Sequence, residues 1–100
     1  MLSGVNAKAI AADGVVSASA DKVVSALYDV ILSGGDSGEG FCTIAIYDGP
    51  SAAAGDLIIV LKVAAEETDS LGISSPIAIN NGNIFLDITG TNASAVVLWK

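Results

Sequence analysis

Residues 23–35 read Val23-Val24-Ser25-Ala26-Leu27-Tyr28-Asp29-Val30-Ile31-Leu32-Ser33-Gly34-Gly35. Two periods fit them, and the choice decides the fold. Val23, Leu27, Val30 and Ile31 fall on one stripe of a helix, with Ser19 placed to cap it. A helix over residues 20–32 would make the chain α+β. The same letters also alternate. Val24, Ala26, Tyr28, Val30 and Leu32 would line one face of a strand. Val23, Ser25, Leu27, Asp29 and Ile31 would line the other. The β-branched content and the Gly34-Gly35 stop favour the strand.

The flanking sequence repeats that choice. Residues 41–47, Phe-Cys-Thr-Ile-Ala-Ile-Tyr, form a second strand. Cys42, Ile44 and Ile46 share one face, and Phe41, Thr43, Ala45 and Tyr47 the other. Both faces are at least partly apolar, so this strand is expected in the middle of a sheet. Residues 56–64, Asp-Leu-Ile-Ile-Val-Leu-Lys-Val-Ala, are the strongest apolar run and too short for a typical helix. Residues 84–88 and 94–99 complete the clear strands, with Ile84, Leu86 and Ile88 on one face of the former. Residues 15–20 alternate weakly. Pro76 limits residues 71–79 to an edge or to strand ends. Residues 1–14 read as an N-terminal arm or a loosely held first strand, ahead of a domain over 15–100.

Between these segments lie turn signals. Residues 33–40 carry Gly34, Gly35, Gly38 and Gly40 with Asp36 and Glu39, and read as a flexible hairpin loop. Asp48-Gly49-Pro50 and residues 89–92 read as turns. Residues 65–70, with Glu66, Glu67 and Asp69, read as an acidic loop. Asn81-Gly82, between alternating apolar segments, signals a hairpin. Turns every 8–15 residues or so predict an all-β antiparallel sandwich or jelly-roll-like barrel of about 7–8 strands.

Composition bounds what such a domain does. Of 100 residues, 52% are apolar and 15% charged, and the net charge is −7. Disorder does not suit so apolar a chain. So acidic a chain does not suit nucleic acid or an anionic membrane. The first six residues have neither a basic start nor an apolar run, so no signal peptide is expected and folding in a cytoplasm is. A domain this small hides only one core. The apolar surplus therefore predicts a subunit interface, with a monomer that leaves Ala and Gly on its surface as the alternative.

The chemistry of sites is sparse. There is no His and no Arg, so neither a Ser–His–Asp arrangement nor a guanidinium clamp for carboxylates or phosphates can form. The single Cys42 lies within a strand and reads as a small buried apolar residue rather than a nucleophile. The glycine loop lacks the Lys-Ser/Thr and helix start of a phosphate cradle. Asp36 with Glu39, and Glu66, Glu67 and Asp69, miss the alternating spacing of a calcium loop. They read as solvated charges, a structural Ca²⁺ site being the alternative. Trp99 reads as a core residue or an interface anchor. Tyr28, Phe41, Tyr47 and Phe85 are too dispersed in sequence to mark a stacking platform. No catalytic, cofactor-binding or metal-ligating residue is expected, and no cofactor.

Three segments resemble a group of small all-β phage virion structural proteins. They are residues 23–35, residues 43–49 (Thr-Ile-Ala-Ile-Tyr-Asp-Gly), and the stretch from Pro76-Ile77-Ala78-Ile79 through Asn81-Gly82 to Ile88-Thr89-Gly90-Thr91-Asn92-Ala93. The acidic connection over 64–70 is longer than in many of these proteins. The resemblance implies a capsid decoration (cement) protein or head-fibre protein, made in the host cytoplasm and carried on the virion. It implies a homotrimer, with the major capsid protein as partner. A receptor- or glycan-binding module of a tail or head fibre is the alternative. A self-polymerising subunit that exchanges its N-terminal arm is a further one, and an enzyme is the remotest.

Overall fold

In a computed structural model, described over residues 5–17, 23–36 and 40–100, the chain is all-β. Its strands are β1 (Asn6–Ile10), β2 (Gly14–Val15), β3 (Ala26–Ser33), β4 (Cys42–Asp48), β5 (Asp56–Val63), β6 (Thr68–Ser70), β7 (Ile77–Ala78), β8 (Ile84–Thr89) and β9 (Ser94–Trp99). They form two antiparallel sheets. Sheet A runs β1-β9-β3-β6, with β7 also on β3; sheet B runs β2-β8-β4-β5. Within residues 1–14, the segment 6–10 pairs along its length with β9 as an edge strand. Residues 18–20 of the weakly alternating stretch, Ser19 and Glu39 lie outside the described residues.

The pairing has a nested order. β4 pairs β5, β3 pairs β6, β2 pairs β8 and β1 pairs β9. The chain is thus a long double ribbon whose tip is the β4–β5 hairpin. Winding that ribbon adds β3 to β9 and β4 to β8. This is the order of a jelly roll, one of the ways an antiparallel chain closes its core between two sheets. The helix over 20–32 is overturned, since residues 26–33 are a strand paired on both edges.

The helix-like spacing has a structural cause. Opposite β9 the register of β3 shifts between Leu27 and Asp29, leaving Tyr28 as an extra residue. Such a bulge lets two residues oppose one and resets the alternation. Leu27 therefore faces inward before the bulge, and Val30 and Leu32 face inward after it. Val24, Leu27 and Val30 are all fully buried and spaced by three. Neither strict face read from the sequence is the core face.

Three connections also differ from expectation. Asn81-Gly82 joins β7 in sheet A to β8 in sheet B, and is no hairpin. Residues 33–40 likewise cross between sheets, from β3 to β4. Gly34 and Gly35 are packed: Gly34 N–H donates to Glu67 O at 2.7 Å, and Glu66 N–H to Gly35 O at 2.8 Å. A Cβ on Gly34 would collide with the Ala64 carbonyl. The acidic loop over 65–70 is partly a strand, because Thr68–Ser70 pairs with Ile31–Ser33 as β6.

The core fills from alternate positions of both sheets. Leu27, Val30, Leu32 and Val97 from sheet A meet Ile44, Ile46, Ile84 and Leu86 from sheet B, all fully buried. Burial of each such side chain contributes about 1.5–3 kcal/mol. Trp99 closes one end at 6% exposure, and its indole N–H has no hydrogen-bond partner among the described residues. The Asp48 carboxylate, buried at the end of β4, accepts from Asn80 N–H at 3.0 Å and Asn81 N–H at 2.9 Å. Asn81 Nδ2 donates back to Asp48 O at 2.9 Å. This clamp ties the β7–β8 crossing to sheet B.

Candidate interaction surface

The outer face of sheet B follows from strict alternation in β4. Cys42, Ile44 and Ile46 point into the core, so Thr43, Ala45 and Tyr47 point away from it. The register then fixes their neighbours across the sheet. Val15 lies opposite Phe85, Phe85 opposite Tyr47, and Tyr47 opposite Leu57, one apolar row across all four strands. Asp87, Ala45 and Val60 form the next row, and Thr89, Thr43 and Lys62 the third. The Tyr47 and Phe85 rings stand 6.2 Å apart at 51°, a tilted aromatic pair. Phe41, ahead of β4, is 65% exposed, with Lys62 Nζ 4.4 Å from its ring centroid.

β5 forms the open margin of this face. The strand is the strongest apolar run in the chain, yet Leu57 is 57% and Val60 52% exposed. Its register against β4 shifts between Ile46 and Tyr47, which places an extra residue, Ile58, on β5. Ile58 and Leu61 pack on the core, while Leu57, Ile59 and Val60 are left in solvent. Six residues in the chain are large, apolar and exposed among those described; four of them, Phe41, Leu57, Ile59 and Val60, lie on β5 or beside it.

The other residues singled out from sequence go elsewhere. Cys42 is fully buried, its sulfur accepting from Gly35 N–H at 3.4 Å. Asp36 accepts from Asn92 Nδ2 at 3.0 Å. Asp69 accepts the N–H of its own neighbour Ser70 at 2.8 Å. Glu66 and Glu67 are exposed, and their backbone is what engages the glycine segment. Among the described residues no three acidic, His or Cys side chains gather as a metal would require. Tyr28 lines an open depression of about 360 Å³ with Asp29, Ser74, Ser75, Pro76 and Leu98, on the other sheet.

The gathering of Phe41, Tyr47 and Phe85 on one face was not readable from their scattered positions. Strand parity assigns each to an outward face. What joins them is the β8-β4-β5 order, which no local signal encodes. Asp48 was readable only as part of a turn, because its partners Asn80 and Asn81 lie more than thirty residues on. No protein family, curated protein or solved structure matches this chain.

Proposed function

We propose that this chain is a non-enzymatic structural subunit of a phage virion, a homo-oligomeric decoration (cement) protein that binds the outer capsid lattice. The resemblance of residues 23–35, 43–49 and 76–93 to small virion proteins supports the virion assignment. The observation that carries the assembly reading is the apolar outer face of sheet B, with its row from Val15 through Phe85 and Tyr47 to Leu57. A monomer rarely leaves so contiguous a patch open without use. The charged residues in its three rows are Asp87 and Lys62, one of each sign. A net charge of −7 elsewhere keeps the subunit soluble and disfavours nucleic acid and anionic membranes as partners. On this reading the chain is made in the host cytoplasm, and the major capsid protein is its partner.

The test is reconstitution on capsids that lack the protein. Folded wild-type chain is expected to co-sediment with them at a saturating ratio. Leu57→Glu is expected to weaken that binding by at least about tenfold, since it places a negative charge in the apolar row. Failure of the wild type to bind would end the cement reading. The grouping of Tyr47, Phe85 and Phe41 on one face favours a second reading, a glycan- or receptor-binding module that stacks sugar rings on aromatics. A glycan array with a saturable signal, lost in Tyr47→Ala, would support it; a blank array would end it.

A further inference from the structure

We propose that β5 is a self-pairing edge, on which a second copy of this chain docks antiparallel about a two-fold axis. The inference deepens the assembly reading above by naming the partner of one margin of that surface. It begins with how the four sheet margins differ. Soluble proteins blunt exposed edges with short strands, inward charges and loops. β2 has two residues; β6 has three and β7 two, sharing the outer side of β3. β1 carries Lys8 opposite buried Val97, a charge on the inward side of an edge. Among the described residues β5 alone presents an edge of eight, with Leu57, Ile58, Ile59, Val60 and Leu61 in sequence.

The one cation on β5 does not guard it. Lys62 Nζ stands over the Phe41 ring, on the β4 side of the strand and away from the free edge. The strand carries one carboxylate, Asp56, at its start and one ammonium, Lys62, near its end. Antiparallel self-pairing sets the Asp56 end of each copy beside the Lys62 end of the other, twice. A different acidic partner would gain no such match. An identical chain of net charge −7 can approach closely only where its surface is locally balanced, and β5 is balanced.

The bulge selects the register. Leu57 and Val60 point to the outer face with Tyr47 and Ala45, while Ile58 and Leu61 point to the core face. Like faces meet when the axis passes between Ile58 and Ile59. Leu57 then lies opposite Val60 of the second copy, and Lys62 lies opposite its Gly55, one position from its Asp56. The apolar row Phe85–Tyr47–Leu57 continues onto the second molecule, and sheet B becomes an eight-stranded sheet. Eight paired residues, 55–62, span about 26 Å of edge. One strand edge of that length covers less than the ~800 Å² per partner of a standard stable interface, so the dimer is expected to be concentration-dependent. Two-fold closure gives a dimer, where the virion resemblance implies a trimer.

The test mixes two full-length variants, Leu57→Cys and Val60→Cys, each first checked for wild-type circular dichroism. Cys42 is buried and stays in place. Directly opposed strand positions have Cβ atoms close enough for a disulfide. Under mild oxidation the mixture is expected to form the 57–60 heterodisulfide at least about fivefold faster than either variant forms a homodisulfide. Equal rates, or no disulfide, would overturn the pairing. Capsid binding by the wild type is measured separately. A chain that binds capsids without the 57–60 link overturns the β5 inference and spares the decoration role, and the link without capsid binding does the reverse.

Discussion

Gly90 shows how tightly single residues are held at the sheet-crossing turns. It sits at φ +129°, and a Cβ there would lie 2.6 Å from Cys42 Sγ and 2.9 Å from Cys42 Cβ. Both the backbone conformation and the space demand glycine. Gly90→Ala is expected to lower unfolding free energy by about 1–3 kcal/mol, read by urea denaturation. A change under about 0.5 kcal/mol would mean the turn is looser than its geometry. Asp48 works at the same scale by accepting two backbone N–H groups, from Asn80 and Asn81, which holds that turn to the end of β4. Trp99 is the opposite case, a buried indole whose N–H has no partner among the described residues. It contributes apolar packing at the end of the core rather than a hydrogen bond among the described residues.

At the scale of elements, β3 is where sequence and structure diverge most usefully. Strict alternation sets Leu27 and Ile31 on the same face. The bulge at Tyr28 separates them, burying Leu27 fully and leaving Ile31 on the outer side opposite Ser70 and Val96. Leu27→Ala is expected to cost about 2–5 kcal/mol, as cavity-forming core truncations do. Ile31→Ala is expected to cost less than half as much. Equal costs by the same denaturation assay would return β3 to a regular strand. This element also shows what was legible. β-branched content and the Gly34-Gly35 stop identified a strand, because those preferences are local. The bulge was hidden, because it exists only relative to β9. Its three-residue spacing of buried positions imitated a helix. Asn81-Gly82 misled for a related reason. The dipeptide specifies a turn, but whether the following strand pairs with the preceding one or crosses to the other sheet depends on distant partners.

At the scale of the molecule, parity alone set Thr43, Ala45 and Tyr47 on one face and Ile44 and Ile46 on the other, and the structure makes the second the core face. The all-β class was therefore readable from the residues. The nested order was not, since each rung from β4–β5 out to β1–β9 joins segments further apart in sequence. The apolar surplus was likewise readable as a quantity but not as a place. Total accessible surface is 5394 Å², close to the roughly 5,200 Å² that size scaling gives a monomer of this mass. The surplus thus does not enlarge the surface. It is concentrated on the outer face of sheet B and along β5, where Leu57, Ile59, Val60 and Phe41 are exposed together. That concentration is why self-association is the central expectation. It is tested most directly by the native mass of the full chain, measured by light scattering or native mass spectrometry over a range of concentrations. A discrete species of twice the chain mass, growing with concentration, is the predicted result. A trimer would keep assembly but contradict the two-fold edge, and a monomer at every concentration would contradict self-association itself.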